Sequence, residues 1–204
     1  MSPVTKGQWR AELRAARQSM DDGARRRAAA GLAAAGLAWA GQLSAAASAP
    51  VLCCYLSVGH EPATGPLLSA LVSAGYRVAV PVCEPDFQLS WVAWSVGVEL
   101  VRSSLAPVME PVGERFPFND LGTVTGILLP ALAVDAGGVR LGQGGGYYDR
   151  FLAQVLPATG GAVPTAAVVY AGEALASGTL PHDALDRPVD YILTPDGYRA
   201  IGGE

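Results

Sequence analysis

Between Arg140 and Arg150 the chain reads Arg-Leu-Gly-Gln-Gly-Gly-Gly-Tyr-Tyr-Asp-Arg, with glycine at 142, 144, 145 and 146. Glycine has no Cβ, so backbone amides in such a loop can come close to anion oxygens. A helix predicted to begin near Tyr147 adds its N-terminal amides and dipole. Arg140 and Arg150 can add charge-assisted hydrogen bonds, and Asp149 can place a carboxylate one step past the loop. The chemistry on offer is anion binding, with a hard cation bridging carboxylate and anion.

Two better-known loops do not fit. A P-loop needs Lys-Ser or Lys-Thr after the glycines, and neither is present. A dinucleotide fingerprint needs glycine at the sixth position from Gly142, which is Tyr147, and an acidic residue about twenty positions on. On spacing alone the segment reads as an anion loop or as a glycine-rich hinge.

The charge distribution adds a second feature. The net charge is −4, against a general nucleic-acid binder, yet Lys6, Arg10, Arg14, Arg17 and Arg25–Arg27 are half of the 14 basic residues. The cluster suits a small polyanion, or equally a solvated helix face. Cys53, Cys54 and Cys83 have neither CxxC spacing nor an even count, so they read as reduced, buried thiols. His60 and His182 have no partner at ligand spacing. The Ala-rich run from Ala28 to Ala49 after Arg25–Arg27 imitates a secretory signal. It starts too late, follows Asp21 and Asp22, and is broken by Gly31, Gly36, Gly41 and Gln42.

The order of residues in the loop is more specific than its glycine content. Pro130, Asp135, Gly138, Arg140-Leu141-Gly142-x-Gly144-x-Gly146-Tyr147-Tyr148-Asp149 resembles the signature of the 5-formyltetrahydrofolate cyclo-ligase (methenyltetrahydrofolate synthetase) family. Lys6 and Arg10, with Arg14 behind them, resemble that family's N-terminal ATP-contacting cations. Leu56-Ser57 with His60-Glu61-Pro62-x-Thr64 resembles its folate-contacting loop. Glu110-Pro111, and Pro181, Asp186, Val189 and Asp190, extend the match nearly end to end. Val134, Tyr170–Glu173 and the stretch from Trp91 to Leu105 depart from the pattern.

The resemblance implies ATP- and Mg2+-dependent cyclisation of 5-formyltetrahydrofolate to 5,10-methenyltetrahydrofolate, with release of ADP and phosphate. It implies ATP contacts at Lys6, Arg10, Arg140, Leu141, Gly142, Gln143, Gly144, Gly145, Gly146, Tyr147 and Tyr148. The implied folate contacts are Leu56, Glu61 and Gln143 to Tyr147, and the Mg2+ ligands are Asp149 and Asp186. Arg140, Tyr147 and Asp149 are the candidate catalytic residues. Asp135 is expected to order the loop through backbone amides. Of Tyr147 and Tyr148, one is expected to stack on a ring and one to pack. The partners implied are small molecules only, with no nucleic acid and no membrane, for a monomeric cytoplasmic enzyme. Two other readings use the same residues: a sugar-phosphate or CoA-ester enzyme of similar fold, and a non-catalytic binding module.

The elements that must position these groups follow from periodicity. With 204 residues, half of them hydrophobic, the chain suits one domain, 1–204. Thr5 and Gln8 form a capping box for a helix to about Met20, and Asp22 caps a second helix ending before Gln42. Strands are expected at Val51–Leu56, Arg77–Pro81, Leu89–Trp94, Ile127–Leu129, Thr165–Tyr170 and Tyr191–Thr194. Helices are expected from Gly65 to Gly75 and over Tyr147–Leu156, with loops and short pieces from Val96 to Phe118. Strands alternating with helices predict an α/β fold: a mainly parallel sheet with helices on both faces, a Rossmann-like three-layer sandwich.

Overall fold

The structure is a computed structural model that describes residues 4–44, 49–160, 163–183 and 186–202; positions 45–48 of the Ala-rich run and the ends of the 1–204 span lie outside them. Two helices open the chain, α1 (Lys6–Ser19) and α2 (Asp22–Ser44). Thr5 and Gln8 cap α1 reciprocally, as their spacing requires. The cap of α2 is Asp21, not Asp22: the Asp21 carboxylate accepts from the amide of Ala24 at 2.8 Å, and this bond holds the carboxyl below its ordinary range. α2 also runs past Gln42, because α3 (Gly65–Ser73) packs along its buried face.

The central sheet has seven strands in the order β12-β11-β9-β6-β1-β2-β3. They are β1 (Val51–Cys53), β2 (Arg77–Glu84), β3 (Gln88–Ala93), β6 (Val124–Pro130), β9 (Thr165–Val168), β11 (Tyr191–Thr194) and β12 (Gly197–Ala200). Neighbours from β11 through β2 pair in parallel, while β12 and β3 close the edges antiparallel. Parallel strands covered on both faces need continuous apolar runs, and Ile127, Leu128 and Leu129 of β6 supply one at 0–1% exposure. Leu32, Trp39, Leu67 and Leu71 of α2 and α3 cover one face. Phe151, Leu152 and Val155 of α4 (Tyr147–Ala158) cover the other, together with Trp91, which is core. The mainly parallel α/β architecture with helices on both faces is therefore the observed one.

Several boundaries differ from the periodicity reading. β2 continues to Glu84 because its antiparallel partner β3 carries it beyond Pro81. β1 stops at Cys53, since the chain then turns away to form the Tyr55–Thr64 loop. α4 passes through Pro157 in its last turn. β12 was not foreseen; its sequence, Gly-Tyr-Arg-Ala, has little apolar signal. The segment from Val96 to Phe118 forms a hairpin of β4 (Leu100–Arg102) and β5 (Met109–Pro111).

Two close approaches explain glycines inside regular elements, one in a helix and one in a strand. A Cβ on Gly36 of α2 would lie 2.5 Å from Leu67 Cδ1, and one on Gly126 of β6 would lie 2.6 Å from the Trp39 ring. Each glycine lets a helix approach the layer beneath it, which is why α2 tolerates poor helix formers.

Candidate active site

The expected loop is not irregular throughout. Its root is a small sheet, β10-β7-β8, in which β7 (Ala133–Asp135) pairs with β8 (Arg140–Leu141) and β10 (Ala174–Leu175). Asp135 is fully buried. One of its oxygens accepts from the amides of Gly137 and Val139 and the other from that of Gly178. It organises the turn through three backbone donors. Beyond β8 the chain is free to form the glycine run, and Gly144 and Gly146 take φ of +105° and +77°, which favour glycine. α4 then begins at Tyr147 with Asp149 in its first turn.

A cleft of about 650 Å3 opens at this loop, a size suited to a small molecule. It lies beyond the carboxyl ends of β1, β2 and β6, where open α/β sheets bind ligands. Lys6, Arg10, Leu56, Glu61, every residue from Arg140 to Asp149, and Asp186 line it. The structure thus brings every position expected to contact ATP, folate or metal, separated by up to 180 residues, to one cavity, while Arg150 does not line it.

Helix α1 is the wall opposite the loop. The Arg10 guanidinium donates to the Gly142 carbonyl at 3.0 Å, and Arg14 donates to both the backbone and side-chain oxygens of Gln143. Gln143 in turn donates from Nε2 to Glu61 at 3.2 Å. Lys6 pairs with Asp183 and Asp186. Burial lowers its pKa, but the two carboxylates outweigh that effect and leave it raised. Two residues on α1 face inward: Leu13 packs against Leu132 and Leu141, and Arg17, 3% exposed, forms a two-point pair with Glu173 and donates to the Ala131 carbonyl. The helix is therefore pinned to the core rather than lying loosely over the cleft.

Glu61 is not an exposed loop acid. It is 9% exposed, accepts from the Val58 amide, and burial raises its carboxyl pKa against those hydrogen bonds. Its loop is held by Thr64, whose hydroxyl donates to the Tyr55 carbonyl while Ser57 and Thr64 exchange amide–hydroxyl bonds. On the loop side, Arg140 is 3% exposed at its side chain and pairs with Oδ1 of Asp149, while its Nε is buried without a hydrogen-bond partner. Tyr147 meets Phe87 edge-on, with ring centroids 5.3 Å apart, and Tyr148 packs into both faces of the core. Asp149 and Asp186 sit in separate ion pairs, and among the described residues no three His, Cys, Asp or Glu side chains cluster as a metal site.

Residue spacing missed the apolar half of the cleft: Pro81, Phe87, Leu89 and Leu105–Met109. Cys83 also borders it and is only half-buried; its thiol pKa is pushed up to about 11, first by burial and then by Glu110. Glu110 itself is buried and accepts from the Cys83 amide at 2.8 Å, tying the β4–β5 hairpin to β2. The available signal was Pro85-Asp86, a turn pair between two apolar runs.

A parallel α/β sheet that presents a glycine loop, a helix N-terminus and a cationic helix to one cavity defines an enzyme of the anion-handling α/β class. The 5-formyltetrahydrofolate cyclo-ligase family model matches residues 3–195, and the chain belongs to that family. It is 35% identical over 200 residues to the 5-formyltetrahydrofolate cyclo-ligase of Mycolicibacterium smegmatis, covering 96% of each chain. It is 32% identical over 143 residues to that of Escherichia coli K12, covering 69% of this chain and 75% of the relative. Among solved structures, the Aquifex aeolicus 5,10-methenyltetrahydrofolate synthetase superposes with a TM-score of 0.73 at 26% identity, covering 98% of this chain and 95% of the other. The Mycoplasma pneumoniae 5,10-methenyltetrahydrofolate synthetase, at TM-score 0.69 and 17% identity over 94% and 99% of the two chains, shares the fold.

Proposed function

We propose that this chain, acting as one domain, cyclises 5-formyltetrahydrofolate to 5,10-methenyltetrahydrofolate with ATP and Mg2+. The observation that carries the reading is the single cleft, which joins the glycine loop, the cations of α1 and Glu61. A formyl amide is a weak electrophile with a poor leaving group. Attack of its oxygen on the γ-phosphorus forms an O–P bond and releases ADP. N10 then adds to the activated carbon and loses its proton, the C–O bond breaks, and phosphate departs. The enzyme's task is to align formyl oxygen with γ-phosphate and to neutralise charge.

On this reading the backbone from Leu141 to Tyr148 cradles the ATP phosphates. Lys6 and Arg10 close over them from α1, and the unpartnered Nε of Arg140 is a donor in reserve beside the loop. Gln143 to Tyr147 lie between the two substrates. Leu56 and Glu61 receive the pterin, whose N–H groups suit a carboxylate acceptor.

The donors present fit Mg2+ only in part: two carboxylates, each held by a cation. That is the usual number of protein ligands when phosphates supply the rest. Asp149 and Asp186 would hold the ion, which neutralises phosphate charge when bound. With the ion on Asp186, the Lys6 ammonium would turn to phosphate, with Asp183 still beside it. A monomer acting on small molecules in the cytoplasm completes the reading; among the described residues no helix is long and apolar enough to cross a membrane.

The test is to mix protein, 5-formyltetrahydrofolate, Mg2+ and ATP and follow the near-ultraviolet absorbance of the methenyl product. ATP-dependent product is expected, and its absence with ATP bound sinks the folate assignment. Asp149→Asn, which keeps an acceptor for Arg140, should reduce turnover at least about a hundredfold in a folded protein. Unchanged turnover refutes its metal role.

A further inference from the structure

The apolar half of the cleft contains a strained aromatic. Strands β2 and β3 are joined by the three-residue turn Pro85–Phe87, between the paired residues Glu84 and Gln88. Asp86 and Phe87 have φ of +57° and +59°. A left-handed backbone is unfavourable for a bulky residue and is ordinarily given to glycine or asparagine. Strain of this kind persists only where the surroundings over-determine it. Here Glu84 accepts from Ser90 and Arg115, and Gln88 accepts from Gln154 of α4, so both ends of the turn are held.

The strained position does not bury its side chain. Phe87 is 45% exposed and lines the cleft. The Arg150 guanidinium lies over the ring at 4.2 Å, and the Tyr147 ring meets it edge-on. Tyr147 is the first residue of α4, directly after the glycine loop. The aromatic is thus fixed beside the catalytic loop with hydrophobic surface left over, on the side that Pro81, Leu89 and Met109 make apolar.

We propose that Phe87 is a specificity-determining residue that stacks on the aryl ring linking the pterin to the glutamate of the folate substrate. The inference rests on the folate reading above. Lys6, Arg10 and the glycine loop supply the polar half of the cleft, and Glu61 supplies the pterin acceptor. A planar aryl group is the part of the substrate that matches the remaining apolar half. Arg150, stacked behind the ring, keeps Phe87 upright, and its charge favours the carboxylates that follow the aryl group.

Phe87→Gly tests this, because glycine accepts the left-handed backbone and so separates folding from binding. Relief of strain offsets the lost ring contacts, and Tm should hold to within about 3 °C. KM for 5-formyltetrahydrofolate should rise about tenfold, the size of one lost stacking partner, while KM for ATP stays unchanged. Phe87→Tyr should restore the wild-type value. A reduced formylpterin lacking the aryl group should inhibit wild type and Phe87→Gly with equal Ki. A folate KM within twofold of wild type overturns the role of Phe87 alone, as does a parallel rise in the ATP KM or a Ki that also weakens. Absence of wild-type turnover overturns both this inference and the reaction it rests on.

Discussion

At Glu61 a carboxylate, 9% exposed, is held by one backbone amide and one glutamine, and burial raises its pKa above the ordinary 4.5. A raised folded-state value means that the native protein binds this proton more tightly than the unfolded chain does. Its favourable contribution is complete below about 4.5 and disappears as pH rises through the raised value. At pH 7.5, far above 4.5, the unfolded chain holds the carboxyl ionised, and the native state bears the cost of burying it. Glu61→Gln should therefore raise Tm at pH 7.5, by about 2–4 °C per kcal/mol recovered, and the gain should shrink to nothing as pH falls below 4.5. Thermal melts of the two proteins across pH 4–8 check this; a pH-independent difference refutes it. The position of Glu61 in a motif was legible in the sequence, but its burial was not, because burial depends on Gln143, 82 residues away.

Helix α1 carries the cations that face the loop, and an inward ion pair helps the buried Leu13 to hold it. Arg17 and Glu173 lie 2.7 Å apart at 3% and 8% side-chain exposure, and Glu173 also accepts from the Tyr170 amide. Removing one partner from such a pair strands a buried charge and costs about 3–5 kcal/mol. Glu173→Ala should show that loss in denaturant unfolding. Arg17→Met with Glu173→Leu should recover most of it, since an apolar pair has no charge to desolvate. A loss below 1 kcal/mol for Glu173→Ala would mean that the pair does not anchor the helix. The cap and length of α1 could be read from Thr5, Gln8 and the Trp9–Leu13 spacing. Its anchorage could not, because Arg17 looks like one more cation on a solvated face and Glu173 falls in a stretch that departs from the family pattern. Asp22 misled for a related reason: two adjacent aspartates are equivalent in a sequence, and only the backbone direction selects Asp21.

Across the molecule, the parallel core strands were legible because short apolar runs such as Ile127–Leu129, ended by Pro130, suit strands covered on both faces. What escaped was polar or short: β12, the β8 strand inside the glycine segment, and the β4–β5 hairpin, whose Val101 and Met109 stay exposed. The polar half of the cleft was visible as motif residues. The apolar half was not, since Pro81, Leu89 and Met109 look like ordinary core until the sheet sets their direction. The assembled cleft predicts linkage between ligand and global stability. ATP with Mg2+ at about a hundredfold over Kd should add about 2.7 kcal/mol, or about 5–10 °C in Tm. A chelator should diminish that shift, and a sugar phosphate should give little. An equal response to the sugar phosphate in a thermal-shift measurement would favour the rival enzyme class.

The contact between Gly126 and the Trp39 ring, where a Cβ would come within 2.6 Å, also constrains the chain's history. The missing methyl on the central strand and the bulk of the indole are two halves of one volume. A larger residue at 126 alone meets the ring, and a smaller one at 39 alone leaves a void. Relatives that carry alanine or larger at the first should have a smaller ring or none at the second, so the two positions change as a couple or stay still together.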